Sequence, residues 1–329
     1  MQRAQSSNMA SLWAAAKTGC EMVHYQRLLL IANPDVQESP ALLRAIALVK
    51  ASGAVLDVRA FIEPTPMAYV WKENSDQEGN QHYQRHYLDW RDQTLQRLNA
   101  QGLDVNVQVV FTGDPLLDIL TCVEALKPDL LIKDVTLDPV LGRVFVTPLD
   151  CHLLRGCDVA LHLVNQVRHE LPRRIVAAVD PFDTVTPIHD LNDAIIQSAR
   201  DLAVQCDAPL HLLYAYDLSP AYNGDAPLVS GCWNVEFVDK LRESVHQAFN
   251  ALAERYEIAP QRRHFFVGLP VPVISIFVDE YQADVVVMGT VHHLGSHRFI
   301  GSNTERALYS LPGSILAVKQ AAVCFAPAS

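Results

Sequence analysis

One loop in the last quarter of the chain carries residue types that can bind an anion. Residues 285–308 read VVVMGTVHHLGSHRFIGSNTERAL, a strand-like run followed by a polar loop and a helix-like segment. Ser302 and Glu305 have the S-x-x-E spacing of a capping box, in which side chains satisfy the free amides of a helix start. Gly301 leaves the neighbouring amides sterically open, and a helix N-terminus attracts negative charge. The spacing predicts a phosphate contact at Gly301, Ser302 and Asn303, with an ordinary helix start as the alternative.

Other polar groups offer further chemistry, each with a simpler alternative. His292, His293 and His297 share the loop without an intervening Cys or acidic residue and without helical i, i+4 spacing, which favours solvent-facing histidines over a metal site. Asp180 and Asp183 follow a strand-like run and form a carboxylate pair that can hold Mg²⁺ with a nucleotide. We favour a single acceptor at Asp180 and a turn residue at Asp183. The sequence contains no P-loop, GxSxG or recognisable Cys–His motif, so we assign no catalytic residue and no metal ligand.

The composition excludes several classes of partner. The 329 residues carry a formal charge of −11, so we expect neither nucleic acid nor anionic lipid as a generic partner. No apolar run approaches the roughly 18 to 20 residues that span a bilayer, and the N-terminus lacks a signal-peptide pattern. The seven cysteines are scattered without a CxxC pair, as is typical of buried thiols in a reducing compartment. We therefore expect a cytoplasmic α/β protein.

The elements that must position these residues occur in one order, twice. RLLLIANP and RIVAAVDP begin the two repeats, and VFTGDPLLDIL and PDLLIKDV recur as FFVGLPVPVIS and ADVVVMGT. Each repeat reads β-α-β-α-β-α-β-α-β, which predicts a doubly wound parallel sheet. Ligands bind such sheets beyond the carboxyl ends of the strands, where Asp180 and Gly289 would meet. The predicted parts are a loosely ordered extension, a first domain, a linker, a second domain and a tail, at residues 1–24, 25–165, 166–173, 174–320 and 321–329.

Cap signals mark several helix ends in the first repeat. Ser39 followed by Pro40 predicts a helix start, and Gly53 predicts the end of that helix. Asp114 followed by Pro115 predicts another start by the same reasoning. These boundaries separate the strands of the first repeat.

The segments VVMGTV, GSNTERAL and SILAVK together resemble the C-terminal signature of the universal stress protein family. Nucleotide-binding members carry G-x2-G-x9-G-[ST] after strand four and an Asp after strand one. The resemblance covers about residues 25–320 and implies two adenine nucleotide alpha hydrolase-like domains that pack as a pseudo-dimer. It implies a nucleotide site in the second domain at Asp180, Ala215, Met288, Gly289, Thr290, His292, Gly301, Ser302 and Asn303.

Both repeats depart from the family pattern. In the second, His292 stands at the second glycine, and the spacer that follows has eight residues instead of nine. In the first, Lys133 and Asp134 stand at the glycine position, Thr147-Pro148 replaces Gly-Ser, and Asn33 replaces the Asp. We expect Thr147 to cap the next helix and Asp150 to complete its box. Because the first repeat has lost the glycines and the Asp of the family pattern, we expect one nucleotide site in the chain.

The resemblance implies a ligand-sensing or regulatory role in the stress response. The implied ligand is ATP, AMP or a nucleotide conjugate, with or without Mg²⁺. An interaction scaffold that binds no nucleotide, a carrier of an apolar ligand, and slow nucleotide hydrolysis are the alternatives. The apolar runs TPMAYVW and APLVSGCW either cover a pocket or only cover their own core. Protein partners and a homodimer beyond the pseudo-dimer are left open.

Overall fold

The computed structural model describes residues 24–63, 77–135, 148–181, 191–217, 235–290 and 302–319. Predictions about the N-terminal extension, the C-terminal tail and the two apolar runs lie outside these residues. The same holds for Thr147, Asp183, the three loop histidines and Gly301, and for the side chain of Ser302.

Each half contains five strands and four α-helices among the described residues, and the second half also contains the short 3₁₀ helix Pro260–Arg262. The first half has β1 Arg27–Ile31, α1 Pro40–Ser52, β2 Val55–Ile62, α2 Gln77–Asn99, β3 Val105–Phe111, α3 Pro115–Leu126, β4 Leu130–Asp134, α4 Leu149–Gly156 and β5 Ala160–Val164. The second half has β6 Ile175–Ala178, α5 Leu191–Gln205, β7 Leu210–Tyr216, α6 Val235–Arg255, β8 Arg263–Val267, α7 Pro270–Glu280, β9 Val285–Thr290, α8 Ser302–Leu308 and β10 Ser314–Lys319.

The strands form one continuous ten-stranded sheet in the order β3-β2-β1-β4-β5-β10-β9-β6-β7-β8. All pairs within each half are parallel, which confirms the predicted doubly wound α/β class. The halves meet where β5 and β10 pair antiparallel, with Leu163 opposite Ile315. The two repeats are therefore joined through the backbone of a shared sheet as well as through side chains.

Helix caps form where the sequence predicts them. The Ser39 side chain accepts a hydrogen bond from the amide of Leu42, and Gly53 ends α1 with a left-handed φ of 73°. The Asp114 side chain accepts from the amide of Leu117 at the start of α3. The prediction of these boundaries from cap residues is confirmed.

The sheet is buried on both faces. On one face, α1, α5 and α6 pack on Leu28, Leu212 and Val287, among others. On the other face, α3, α4, α7 and α8 pack on Leu29 and its neighbours. The four cysteines among the described residues, Cys122, Cys151, Cys157 and Cys206, are free thiols, and burial raises the pKa of each.

A pair of equivalent aspartates shows how closely the repeats correspond. Asp129 accepts hydrogen bonds from the amides of Gln26 and Arg27 at 2.6 and 2.9 Å. Asp284 accepts from the amides of Arg173 and Arg174 at 2.8 and 3.1 Å. Each carboxylate ties the segment before the first strand of its half to the segment before the fourth. Corresponding positions can therefore be compared between the halves.

Candidate ligand site

A cleft of about 350 Å³ opens at the carboxyl ends of β6 and β7. It lies beside the switch point of the second half, because β6 is flanked by β7 on one side and β9 on the other. Helices α6, α7 and α8 supply the remaining wall. The lining residues are Asp180, Tyr214, Ala215, Tyr216, Asp217, Leu241, Val245, Pro270 and Asn303.

The backbone of Asp180 is fixed by a buried asparagine. The Asp180 amide donates to Oδ1 of Asn192 at 2.9 Å, and Nδ2 of Asn192 donates to the Asp180 carbonyl at 2.6 Å. Asn192 lies in the first turn of α5 and is 3% exposed, whereas Asp180 itself is exposed. The backbone of Asp180 is therefore held in place while the residue itself is exposed at the cleft.

The end of β9 serves packing more than the cleft. An added Cβ at Gly289 would lie 2.6 Å from Cδ2 of Leu191 and 3.1 Å from Cδ1 of Ile195, so α5 packs directly on this glycine. Met288 is 5% exposed and belongs to the core on the other face of the sheet, the face that α7 and α8 cover. Thr290 is 4% exposed. Among the described residues that line the cleft, none of these three predicted site residues appears.

Helix α8 brings one predicted residue to the cleft and ties its neighbours elsewhere. Asn303 lines the cleft. Thr304 Oγ1 donates to the carbonyl of Gly289 at 2.9 Å, which holds α8 against β9. Glu305 Oε1 accepts from Arg155 of the first half at 2.7 Å from Nη2 and 3.1 Å from Nε. At least one oxygen of the predicted box carboxylate is therefore engaged by the other half of the chain.

The described walls of the cleft are acidic and aromatic. Asp180 and Asp217 contribute carboxylates, and no Lys or Arg is among the described lining residues. Burial, aided by the charge of Asp180, raises the pKa of Tyr214, and burial raises the pKa of Tyr216. Both phenols are thus neutral at physiological pH. These walls suit an aromatic or hydroxyl-bearing ligand with hydrogen-bond donors, whereas they repel a phosphate.

The corresponding edge of the first half is occupied by its own charges. Lys133 Nζ lies 2.8 Å from Oδ1 of Asp150 and donates to the carbonyl of Asp134 at 2.9 Å. Asp134 Oδ1 accepts from the amide of Ala41, near the start of α1, at 2.7 Å. Asp150 has no exposed surface, and Lys133 is 8% exposed.

The capping box predicted for Thr147 and Asp150 includes a residue outside the described part of the chain, so it stays a prediction. Among the described residues, Pro148 precedes α4 without a side-chain cap, and the Asp150 carboxylate is paired with Lys133. Lys133 was noted in the sequence only as a departure from the family glycine, so its partner was missed.

Several lining residues were also missed in the sequence. Tyr214 and Tyr216 flank the predicted Ala215 on β7, and Asp217 follows that strand, so their places in the sequence were a usable signal. Leu241, Val245 and Pro270 carried none, because their contribution depends on how α6 and α7 pack on the sheet.

Among the described residues, no three His, Cys, Asp or Glu side chains converge as a metal site. No helix in the described part of the chain is long and apolar enough to cross a membrane.

Comparison with known proteins identifies the class to which this fold belongs. Residues 172–319 match the family described as the universal stress protein family, so the second half of the chain belongs to that family. Over its tandem arrangement the chain is similar to proteins named Universal stress protein E. It is 27% identical over 308 residues to that of Photorhabdus laumondii, which covers 91% of this chain and 96% of the relative. It is 28% identical over 306 residues to that of Escherichia coli K12, which covers 91% of this chain and 95% of the relative.

Solved structures show the same fold over most of the chain. A Pseudomonas aeruginosa PAO1 protein described as functionally unknown superimposes with a TM-score of 0.68 at 21% identity, over 91% of this chain and 94% of that one. A universal stress protein from Archaeoglobus fulgidus superimposes with a TM-score of 0.58 at 15% identity, over 91% and 98% of the two chains. At these identities the likeness concerns the fold alone.

Proposed function

We propose that this chain is a stress-response regulatory protein that senses a nucleotide or nucleotide-containing metabolite in the cleft of its second half. The observation that carries the proposal is the convergence of Asp180, Ala215 and Asn303, from three separate elements, on one cleft of about 350 Å³. All three follow from the family resemblance, and the volume lies within the roughly 300 to 1,000 Å³ typical of small-molecule sites.

The charge of the cleft suggests how such a ligand would be oriented. Ribose hydroxyls and the exocyclic amine of adenine are donors, and they match the carboxylates of Asp180 and Asp217. The rings of Tyr214 and Tyr216 offer apolar contact to a base or sugar. Phosphates would project away from these acidic walls. The resemblance assigns further contacts to His292 and Gly301, which lie outside the described residues. Mg²⁺ would enter with the phosphates of ATP and not as a resident metal.

The proposal assigns one ligand site to each chain. In the first half, the Lys133–Asp150 ion pair and the Asp134 carboxylate lie where the second half has Met288, Thr304 and Gly289. An incoming ligand would have to displace a buried ion pair, which is costly because each charge loses its partner. The first half is then mainly a structural and regulatory partner of the second.

A second candidate function, a protein interaction scaffold, is favoured by one observation. Leu269, the residue before α7, is 55% exposed, and Ile276 on α7 is 59% exposed. The matching positions of the first half carry the polar Asp114 and Thr121, while Leu117 on the matching helix α3 is 60% exposed. Both helices therefore expose apolar side chains, at different positions, and exposed apolar surface suits a protein partner.

Small-molecule release tests the nucleotide proposal against the scaffold. The purified chain is denatured, and the released molecules are examined by ultraviolet absorbance and mass spectrometry. Thermal unfolding is then followed with added ATP, AMP and a nucleotide sugar, because a ligand of the native state at 100 times its Kd stabilises by about 2.7 kcal/mol. We expect Asp180→Ala to abolish this stabilisation and Asp35→Ala, at an exposed aspartate after β1, to preserve it. No released nucleotide and no stabilisation in the unaltered chain would refute the proposal and leave the scaffold.

A further inference from the structure

Two contacts hold helix α8 immediately after Asn303, the residue that it contributes to the cleft. It has seven residues, Ser302–Leu308, and a helix of this length is not stable without tertiary contacts. Asn303 lines the cleft, Thr304 is tied to β9, and Glu305 is tied to Arg155. These are three consecutive residues, so the contacts of the last two constrain where Asn303 lies.

The tether from Arg155 belongs to the other half of the chain. Arg155 lies in the last turn of α4, and two of its nitrogens donate to one oxygen of Glu305. Its carbonyl accepts from Lys319 Nζ at the end of β10 at 2.9 Å. One turn earlier, Cys151 Sγ lies 3.8 Å from the hydroxyl of Tyr309. The first half therefore contacts the second along α4, through both side chain and backbone.

Comparison of the halves shows what stands at the matching positions. The strand registers match Leu130 with Val285 and Ala160 with Ser314, so Lys133 corresponds to Met288, and Asp150 corresponds to Thr304. In the first half Asp150 is paired with Lys133, whereas in the second half Thr304 donates to the carbonyl of Gly289. Glu305 corresponds to Cys151, and its carboxylate is paired with Arg155 of the other half.

We propose that Arg155, in the half to which we assign no ligand, is a positioning residue that sets the affinity of the second-half cleft by holding Asn303 in place. The inference rests on the proposed function and deepens it, because it makes the first half a determinant of ligand affinity. The coupling is reciprocal by linkage: a ligand that requires the bound position of Asn303 stabilises the contact between α4 and α8 by the same factor. A partner that binds α4 would then change ligand affinity.

The experiment uses the full chain with ATP as the probe. Arg155→Met removes the charge and keeps the aliphatic stem. Because Arg155 and Glu305 are 39% and 27% exposed, the contact is partly screened, and we expect ATP affinity to fall about two- to fivefold. Hydrogen exchange of residues 303–308 without ligand should become faster. The charge swap Arg155→Glu with Glu305→Arg should restore both quantities, whereas an indirect packing effect would not be rescued.

Arg168→Met is the matched control. Arg168 lies in the linker and pairs with Asp279, near the far end of α7 from Pro270. We expect it to leave ATP affinity and the exchange of α8 unchanged. Unchanged exchange in Arg155→Met, or failure of the swap to restore ATP affinity, would overturn the tether even if the unaltered chain binds ATP. If the unaltered chain binds neither ATP nor any other nucleotide, the proposed function is refuted, and so is the effect of Arg155 on affinity. The hydrogen exchange of α8 in Arg155→Met still reports whether Arg155 holds that helix.

Discussion

Replacing Lys133 with Met tests the ion pair that fills the ligand edge of the first half. Lys133 Nζ lies 2.8 Å from Asp150, whose side chain has no exposed surface. Met keeps most of the stem and removes the ammonium, so the Asp150 carboxylate remains buried without the cation that neutralises it. Removing one partner of a buried pair costs about 3 to 5 kcal/mol. We expect the variant to lose about this much free energy of unfolding at pH 7.

Urea unfolding at pH 7 provides the assay. The double variant Lys133→Met with Asp150→Asn should recover most of the loss, since it carries no buried charge at these positions. Arg91→Ala, at a pair whose side chains are 37% and 64% exposed, should change stability by only about 0 to 1 kcal/mol.

Two results would refute this reasoning. A loss in Lys133→Met no larger than that of Arg91→Ala would mean that Asp150 is solvated and that the edge of the first half is open. A double variant no more stable than the single one would mean that the stem of Lys133, and not its charge, is what matters. Either result would remove the electrostatic argument for a single ligand site per chain.

Two further predictions concern the second half and the seam between the halves, where β5 pairs with β10. Gly289→Ala should cost about 1 to 3 kcal/mol, because the new Cβ meets Leu191 at 2.6 Å, and Gly289→Ala with Leu191→Ala should be less destabilised than the sum of its single variants. Burial, with the charge of Arg44, lowers the pKa of His162 to about 3, so the unfolded chain, with a His pKa of about 6.5, takes up a proton that the folded chain excludes. The contribution of the neutral His162 side chain to the free energy of unfolding is therefore complete above pH 6.5, and it is lost as the pH falls towards 3. By linkage the loss between pH 7 and pH 5 is up to about 2 kcal/mol, and His162→Gln should remove it.

Each of these predictions has a direct control. Gly113→Ala, where an added Cβ meets nothing within 4 Å, should leave the free energy of unfolding nearly unchanged. If Gly289→Ala is equally neutral, α5 does not pack on β9 as described. For His162, equal slopes of stability against pH in the unaltered chain and in His162→Gln would contradict a buried, neutral imidazole at the seam.

Much of the fold follows from local patterns in the sequence. Buried parallel strands, the repeat itself and the caps at Ser39, Gly53 and Asp114 are determined by neighbouring residues, and the structure has them where they were predicted. The antiparallel pairing of β5 with β10 was not predicted, because residues 152 positions apart, such as Leu163 and Ile315, meet only after both halves have folded.

The candidate site was predicted only in part, for a similar reason. Asp180, Ala215 and Asn303 were named from the family resemblance, and the structure brings all three to one cleft. The partners of Asp150 and Glu305 depend on which cation lies nearest in space. Lys133 and Arg155 fill these places, and no spacing in the sequence distinguishes them from other charged residues. Likewise, Gly289 suggested a ligand contact, whereas its close neighbour in the structure is Leu191.

Native mass spectrometry of the purified full chain tests the central claim most directly. The account predicts one nucleotide-containing molecule bound to each chain. Occupancy should be lost in Asp180→Ala and retained in Asp35→Ala. Two bound molecules per chain, none in the unaltered protein after addition of ATP, AMP or a nucleotide sugar, or full occupancy in Asp180→Ala would contradict a single nucleotide site in the second half.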